Sequence, residues 1–264
     1  MVKKGLSETD VCRMFVTPAI KDAGWDLKKQ VREQITFTKG RKIIDGKLVK
    51  EGKKKRADYI LYYKSNLPIA VIEAKDNSHS VGSGMQQGLD YADTLDLPFV
   101  FSTNGKAFIE HDKTISKEKE IPLNKFPSPN DLWQRYKVWK GLDKVKEKIN
   151  TTDYYYEQGG KKPRFYQTIA INRTIEAISN GQDRLLLVMA TGTGKTFVAF
   201  QIIYRLWKAK QKKRILYLAD RNVLIDQTMA NDFKSLGSVM TKIKNRNTDK
   251  SYEVYMALYQ GISG

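Results

Sequence analysis

A single cysteine, Cys12, excludes an internal disulfide in this 264-residue chain, and beside Val11 and Met14 it reads as a core residue in a reducing compartment. Only two histidines are present, His79 and His111, far apart among polar residues, which argues against a zinc site. No apolar run reaches the 18 residues a membrane helix needs, and Met1-Val2-Lys3-Lys4 leads into no apolar signal segment. The expectation is a soluble, cytoplasmic protein with no membrane association. Acid is also in deficit: 29 acidic residues stand against 47 basic ones, a net charge of +18. Such an excess points to a polyanionic partner, most simply nucleic acid, with Lys-rich solubility as the bland alternative. With 41% hydrophobic residues the chain can bury real cores, and its length suggests about two domains.

The second half is organised around Leu185–Val198, LLLVMATGTGKTFV. An apolar run (Leu185–Val188) breaks into a Gly/Thr loop and then into a helix-periodic segment, Phe197–Leu206, which predicts strand, phosphate loop and helix. Unpaired N–H groups of a glycine-rich turn at a helix N-terminus favour a polyphosphate. Lys195 would reach the β/γ-phosphates and the Thr196 hydroxyl would ligate Mg²⁺. Met189 stands where the strict phosphate-loop pattern has glycine. The variant A-T-G-T-G-K-T resembles instead the loop of superfamily 2 helicases and DNA translocases. On that resemblance Thr191, Gly192, Thr193, Gly194, Lys195 and Thr196 form the ATP-binding loop.

In the first half, Ser7-Glu8-Thr9-Asp10 has the form of a helix N-cap, and Val11, Met14, Phe15 and Ile20 continue at helical spacing as far as Gly24. Residues 33–49 alternate as one or two strands around Asp45-Gly46. The basic run Lys50-Glu51-Gly52-Lys53-Lys54-Lys55-Arg56 is either a solvated loop or a phosphate-contacting segment. Strands are expected at Ala57–Tyr63 and Ile69–Lys75, with Lys64–Pro68 as the turn. A hairpin centred between Ser65 and Asn66 sets Asp58 directly opposite Glu73, with Lys75 two residues on and on the same face. Opposed carboxylates, one of them interrupting an apolar run, are costly with nothing between them. A divalent cation between them removes that cost, and hard oxygens suit Mg²⁺.

Asp58…Glu73-Ala74-Lys75 resembles the D…E-x-K signature of the PD-(D/E)xK nucleases, whose fold is restriction-endonuclease-like; Ala57 stands where the motif name has proline. Gln87 and Tyr91 supply a Q-x-x-x-Y pair on one face of a helix expected at Met85–Leu95, similar to a pair that type I restriction motor subunits carry after their E-x-K. An ordinary polar helix face is the alternative. Pro98–Gly105 gives a further strand and turn, completed with Phe108 and Ile109 into a small mixed sheet.

A charged, poorly periodic stretch, His111–Glu120, leads into a linker. There Trp133, Tyr136, Trp139 and Leu142 fall on a short helix suited to interface packing or to base stacking, and Tyr154–Pro163 is the expected join. Gln167 precedes a helix, Thr168–Ser179, and resembles the Q-motif glutamine that reads adenine; simple helix capping is the alternative. Arg214–Asp220 reads as a buried parallel strand followed by a helix, Arg221–Asp232. Leu218-Ala219-Asp220-Arg221 resembles helicase motif Ia, and a further strand is expected at Tyr252–Leu258. No D-E dipeptide occurs, so a D-E-x-H Walker B box is missing and these residues are not expected to turn ATP over. The chain reads as the N-terminal portion of a longer polypeptide.

The order of these motifs resembles the R (restriction, motor) subunit of type I restriction–modification enzymes. The resemblance implies an α/β architecture: a nuclease domain over residues 1–125, a connector over 126–163 and the first P-loop motor lobe from 164 to 264. It also implies Mg²⁺-dependent cleavage of foreign double-stranded DNA coupled to ATP-dependent translocation, and assembly with methyltransferase and specificity subunits. Asp58 and Glu73 would be metal ligands, Lys75 the catalytic lysine, and Gln87 and Tyr91 would orient the site or the DNA. The alternative is a helicase-like DNA remodeller whose first domain only binds DNA; a type III-like subunit fits less well, because there the nuclease follows the motor.

Overall fold

The computed structural model describes residues 5–38, 41–44, 47–51, 54–157, 160, 162–243 and 249–261. The expected turn at Asp45-Gly46, Gly52 and Lys53 of the basic run, and Gly159 and Lys161 of the join lie outside the described residues. Two compact units are present, Met1–Asp143 and Lys144–Gly264.

The first unit opens on α1 (Glu8–Val11), a π-helical turn (Cys12–Val16) and α2 (Thr17–Asp22). Ser7 and Asp10 cap α1 reciprocally, as the spacing predicts. Strands β1 (Val31–Thr38), β2 (Arg41–Ile44), β3 (Lys47–Glu51), β4 (Lys54–Lys64) and β5 (Leu67–Ala74) follow, then α3 (Met85–Leu95), β6 (Phe99–Thr103), β7 (Ala107–Asp112), β8 (Lys117–Pro122) and α4 (Pro129–Lys140). Six strands form one sheet in the order β1-β4-β5-β6-β7-β8, with only β5 and β6 parallel, joined through α3. Side chains alternate across it. Phe99 and Phe101 join Val11, Ile20, Trp25 and Trp133 in the main core, while Val100 lies under α3 at Gly88.

Two expectations are corrected here. The stretch His111–Glu120 is the end of β7, a turn over 113–116 and the charged part of β8, which pairs with β7. A charged edge strand shows no apolar alternation, and such edges resist pairing with other chains. Trp133, expected on a helix suited to interface packing or base stacking, lies instead in the core of the first unit: it is only 1% exposed and stacks on Tyr63 at 4.3 Å and on Tyr136 at 5.3 Å. Arg135 pins α4 to β7 through Glu110 (2.6 Å) and Asp112 (2.5 Å).

The second unit holds α5 (Lys144–Asn150), α6 (Phe165–Ser179), α7 (Lys195–Lys208), β9 (Ile215–Ala219), α8 (Asn222–Ala230), β10 (Met240–Lys242) and β11 (Val254–Leu258). The three strands make a parallel sheet in the order β10-β11-β9. Buried Arg205 on α7 donates to the Asn150 carbonyl (2.7 Å) and to Asn172 on α6 (2.8 Å). The expected strand at Leu185–Val188 is absent: the segment is irregular, with Leu186 88% and Val188 87% exposed. An apolar run becomes a strand only with a ladder partner, and none pairs with it among the described residues. Likewise β9 is not buried, its Leu216 and Leu218 being exposed.

Candidate active site

The β4/β5 hairpin pairs Tyr59 with Ile72, Ile60 with Val71 and Leu61 with Ala70, a register that continues to Asp58 against Glu73. The Asp58 N–H lies 3.4 Å from Glu73 Oε1, and the Ala74 N–H donates to Asp58 Oδ2 at 2.9 Å. Lys75, just past β5, is held by its backbone N–H on the Thr103 carbonyl (2.8 Å), so it projects from the same face as Glu73. Helix α3 comes close enough to reach this pair because residue 88 is glycine: a Cβ there would stand 2.6 Å from Val100 Cγ1. Gln87 then donates to Glu73 Oε2 (2.8 Å) and to the Tyr91 hydroxyl (2.9 Å), and accepts from Lys75 Nζ (3.1 Å). All five residues singled out in the first half therefore meet in one hydrogen-bonded chain. It opens onto a cleft of about 640 Å³.

Two members of the cleft have no motif. Glu8 on α1 accepts from Lys75 Nζ at 3.3 Å, and its only sequence signal is an acid in a helix first turn. Gln34 on β1 donates to Asp58 Oδ1 at 3.1 Å and accepts from Arg56 Nε. Its φ of 54° is one that non-glycine residues rarely adopt, and backbone strain of this kind persists only where the surroundings enforce it. Of the basic run, Lys55 is paired with Asp90 (3.1 Å) and lies over the Tyr91 ring, while Arg56 is bound to Gln34. Both cations are thus engaged within the unit.

Burial, then the charge of Asp58, pushes the Glu73 carboxyl up to about 8, while the Asp58 N–H and Lys75 act the other way. Burial also raises Asp58, against the Ala74 N–H and Gln34. Two opposed carboxylates that each resist ionisation suit a divalent cation, which stabilises both charged forms. Among the described residues no group of three or more His, Cys, Asp or Glu side chains could enclose a metal. A pair fits Mg²⁺, which binds through one or two carboxylates and keeps several waters.

This pair makes stability pH-dependent. Glu73 binds its proton more tightly in the folded chain than at its ordinary value of 4.5. Its contribution is complete below that value and is lost as pH rises through about 8. In EDTA the melting temperature of the parent is expected to fall over this window, and Glu73→Gln to remove several degrees of that fall. Equal slopes in parent and variant would contradict the assignment.

In the second unit, Gly192 and Gly194 take φ of 76° and 86°, and α7 starts at Lys195 with no side-chain cap. The first N–H groups of the helix are therefore available to an anion. Thr191 is exposed at the turn, and Thr193 Oγ1 donates to the Ala190 carbonyl at 2.6 Å. Lys195 Nζ folds onto the Met189 and Ala190 carbonyls, both at 3.4 Å, and Thr196 follows it at the helix start. Gln167 has both ends of its amide occupied: it accepts from the Arg164 N–H (2.8 Å) and donates to the Thr193 carbonyl (2.9 Å). It caps α6 and grips the loop. At φ 86° Gly194 holds a backbone conformation that other residues adopt only with strain, and a Cβ there would also press on Gln167 Nε2 at 2.4 Å.

Comparison with known proteins accounts for both units. Residues 22–127 match the family described as type I restriction enzyme R protein N terminus, and residues 160–264 the family described as type III restriction enzyme, res subunit. The chain is 54% identical to the EcoAI endonuclease subunit of a type I restriction enzyme from Escherichia coli, over 98% of its own length and 32% of that subunit. It is 25% identical to the EcoKI endonuclease subunit of Escherichia coli K12, over 85% of its length and 23% of that subunit. A solved fragment described as an HsdR subunit of a type I restriction enzyme from Vibrio vulnificus YJ016 superposes with a TM-score of 0.82, at 41% identity, covering 98% of this chain and 48% of that one. The chain thus spans about a third or less of the curated relatives it matches. No described helix is long and apolar enough to cross a membrane. With a nuclease-type sheet first, a P-loop unit after it, and both aligned in order to such subunits, the chain belongs to the R-subunit family of type I restriction enzymes and corresponds to its N-terminal portion.

Proposed function

We propose that the protein is the endonuclease and motor subunit of a type I restriction enzyme, working in the cytoplasm. It cleaves foreign double-stranded DNA with Mg²⁺ and couples cleavage to ATP-dependent translocation. The observation that carries this reading is the chain Asp58–Glu73–Gln87–Lys75, assembled from two strands and a helix at one cleft. Residues up to about 143, α4 included, would be the nuclease domain, those from there to about 163 the connector, and those from 164 onward the first part of the motor lobe. Methyltransferase and specificity subunits would supply target recognition.

Asp58 and Glu73 would hold the Mg²⁺, which when bound supplies a Lewis acid beside the scissile phosphate and lowers the pKa of a water. Lys75 Nζ would orient the attacking water and stabilise charge growing on the phosphodiester oxygens. Gln87 keeps Lys75 and Glu73 at fixed separation and is itself held by Tyr91. Gln34 and the Ala74 N–H fix the Asp58 carboxylate, so the ligand oxygens are positioned before any ion arrives. In the motor unit, Lys195, Thr196 and the backbone of Thr191–Gly194 would bind the triphosphate and its Mg²⁺. Gln167 would set the loop, with adenine reading requiring it to release one of its present partners. A first domain that only binds DNA would need its basic run free. The ion pair of Lys55 with Asp90 favours the nuclease.

The test is cleavage of unmethylated plasmid by the full-length subunit assembled with its partners. Asp58→Asn keeps the shape but removes the charge and one of the two oxygens that accept from Gln34 and the Ala74 N–H, so cleavage is expected to drop by a factor on the order of 10² or more while DNA binding persists. Undiminished cleavage would sink the nuclease reading.

A further inference from the structure

We propose that the cleft at the C-terminal end of α7 is a second nucleic-acid site, one that binds the phosphate backbone of double-stranded DNA. The cleft, about 320 Å³, lies where α7 turns into β9 and where β11 begins. Five cations line it: Lys210, Lys212, Lys213, Arg214 and Lys250. None of them has an ion-pair partner among the described residues. Two acids lie nearby, each held by a neutral donor, so five cations stand against two carboxylates. Glu253 accepts from Trp207 Nε1, and Asp249 accepts from the Ser251 N–H at 2.9 Å.

Like charges gathered around a concavity repel one another, and a bound polyanion relieves that repulsion. The turn itself does not require them. Lys210 sits at φ 56°, just past the helix C-cap, where glycine or asparagine serves the backbone better. Helix C-termini do favour one or two cations, but the dipole's reach ends within the last turn. Lys212, Lys213, Arg214 and Lys250 lie beyond it.

Phosphate fits this site better than carboxylate. Four of the five groups are lysines, point charges on flexible stems that accept phosphates at varied positions; planar carboxylates select the arginine fork. The cleft is also distinct from the nucleotide loop. The loop abuts the N-terminus of α7 at Lys195, and a 14-residue helix separates the ends by about 20 Å. The choice of DNA rests on the function proposed above; the existence of an anion site does not.

The experiment measures anisotropy of a fluorescein-labelled duplex of about 20 bp, titrated with this chain in EDTA over a series of salt concentrations. The triple variant Lys210→Gln, Lys213→Gln, Lys250→Gln is compared with a control triple of exposed lysines elsewhere, Lys28→Gln, Lys117→Gln, Lys125→Gln. Both change net charge equally. The cleft triple is expected to weaken binding about tenfold or more and to lower the log–log salt slope by roughly 2–3, about 0.9 for each phosphate no longer neutralised. The control is expected to keep the parent's slope. Equal losses in the two triples would mean bulk charge alone and would overturn the proposal, as would an unchanged slope in the cleft triple. Competition by polyglutamate as effective as by unlabelled duplex of equal charge would instead assign an acidic protein partner and overturn the DNA assignment. Neither Mg²⁺ nor ATP is present, so failure of the nuclease site leaves this result unaffected.

Discussion

Lys75→Ala is expected to lower DNA cleavage by the assembled enzyme by a factor on the order of 10² to 10³ and to leave its ATPase intact. The amine is a cation that acts on both carboxylates, placed by Gln87 Oε1 at 3.1 Å and Glu8 at 3.3 Å. Removing it takes away the group that offsets charge growing in the transition state, where a preorganised donor in a partly dry cleft counts for most. It also withdraws a cation that favours ionised Glu73 but repels a bound Mg²⁺, two opposed effects on metal affinity. Saturating Mg²⁺ separates both from the catalytic loss: a change in affinity is masked, lost transition-state stabilisation is not restored. Lys75 lies in the first unit and the nucleotide loop in the second, which is why ATPase is the control. A variant that loses ATPase while remaining folded would contradict this division of labour.

Trp133→Ala is expected to destabilise the first unit by about 3–5 kcal/mol, as for other fully buried tryptophans. The ring is 1% exposed, sandwiched between Tyr63 and Tyr136, and helps close the core under β4. A loss of that size consumes much of the stability of an ordinary domain, and the variant should show an early thermal transition. If α4 were instead a connector with no part in the core, the change would fall within about 0.5 kcal/mol, as at other surface positions. Thermal melts of parent and variant distinguish the two. Trp139 on the same helix, 45% exposed, is the matched control.

The acidic pair was legible because a hairpin's register follows from its centre. Once Ser65-Asn66 is the turn, arithmetic sets Asp58 against Glu73, and the two register shifts on either side of Tyr62 cancel, so the pairs beyond keep the same centre. Gln87 and Tyr91 were legible because four residues on a helix share a face. Glu8 and Gln34 were not, since long-range packing brings them in and nothing in a sequence announces a φ of 54°. Strand β8 escaped because a charged edge lacks the alternation that marks a half-buried strand. Leu185–Val188 misled in the opposite direction: hydrophobicity expresses a tendency to be buried, but a strand also needs a neighbour to bond with. Gln167 shows a third kind of limit. Its position before the loop was readable, whereas its two protein partners were not.

Calorimetric titration of Mn²⁺ or Mg²⁺ into this chain and into its Glu73→Ala variant tests the central claim most directly, since it needs no partner subunit and no DNA. Binding to the parent that disappears in the variant, with both folded by circular dichroism, is the predicted result. It would establish the opposed carboxylates as a metal site. Equal binding by parent and variant, or none by either even with a short duplex added, would contradict the account and favour a first domain that only binds DNA.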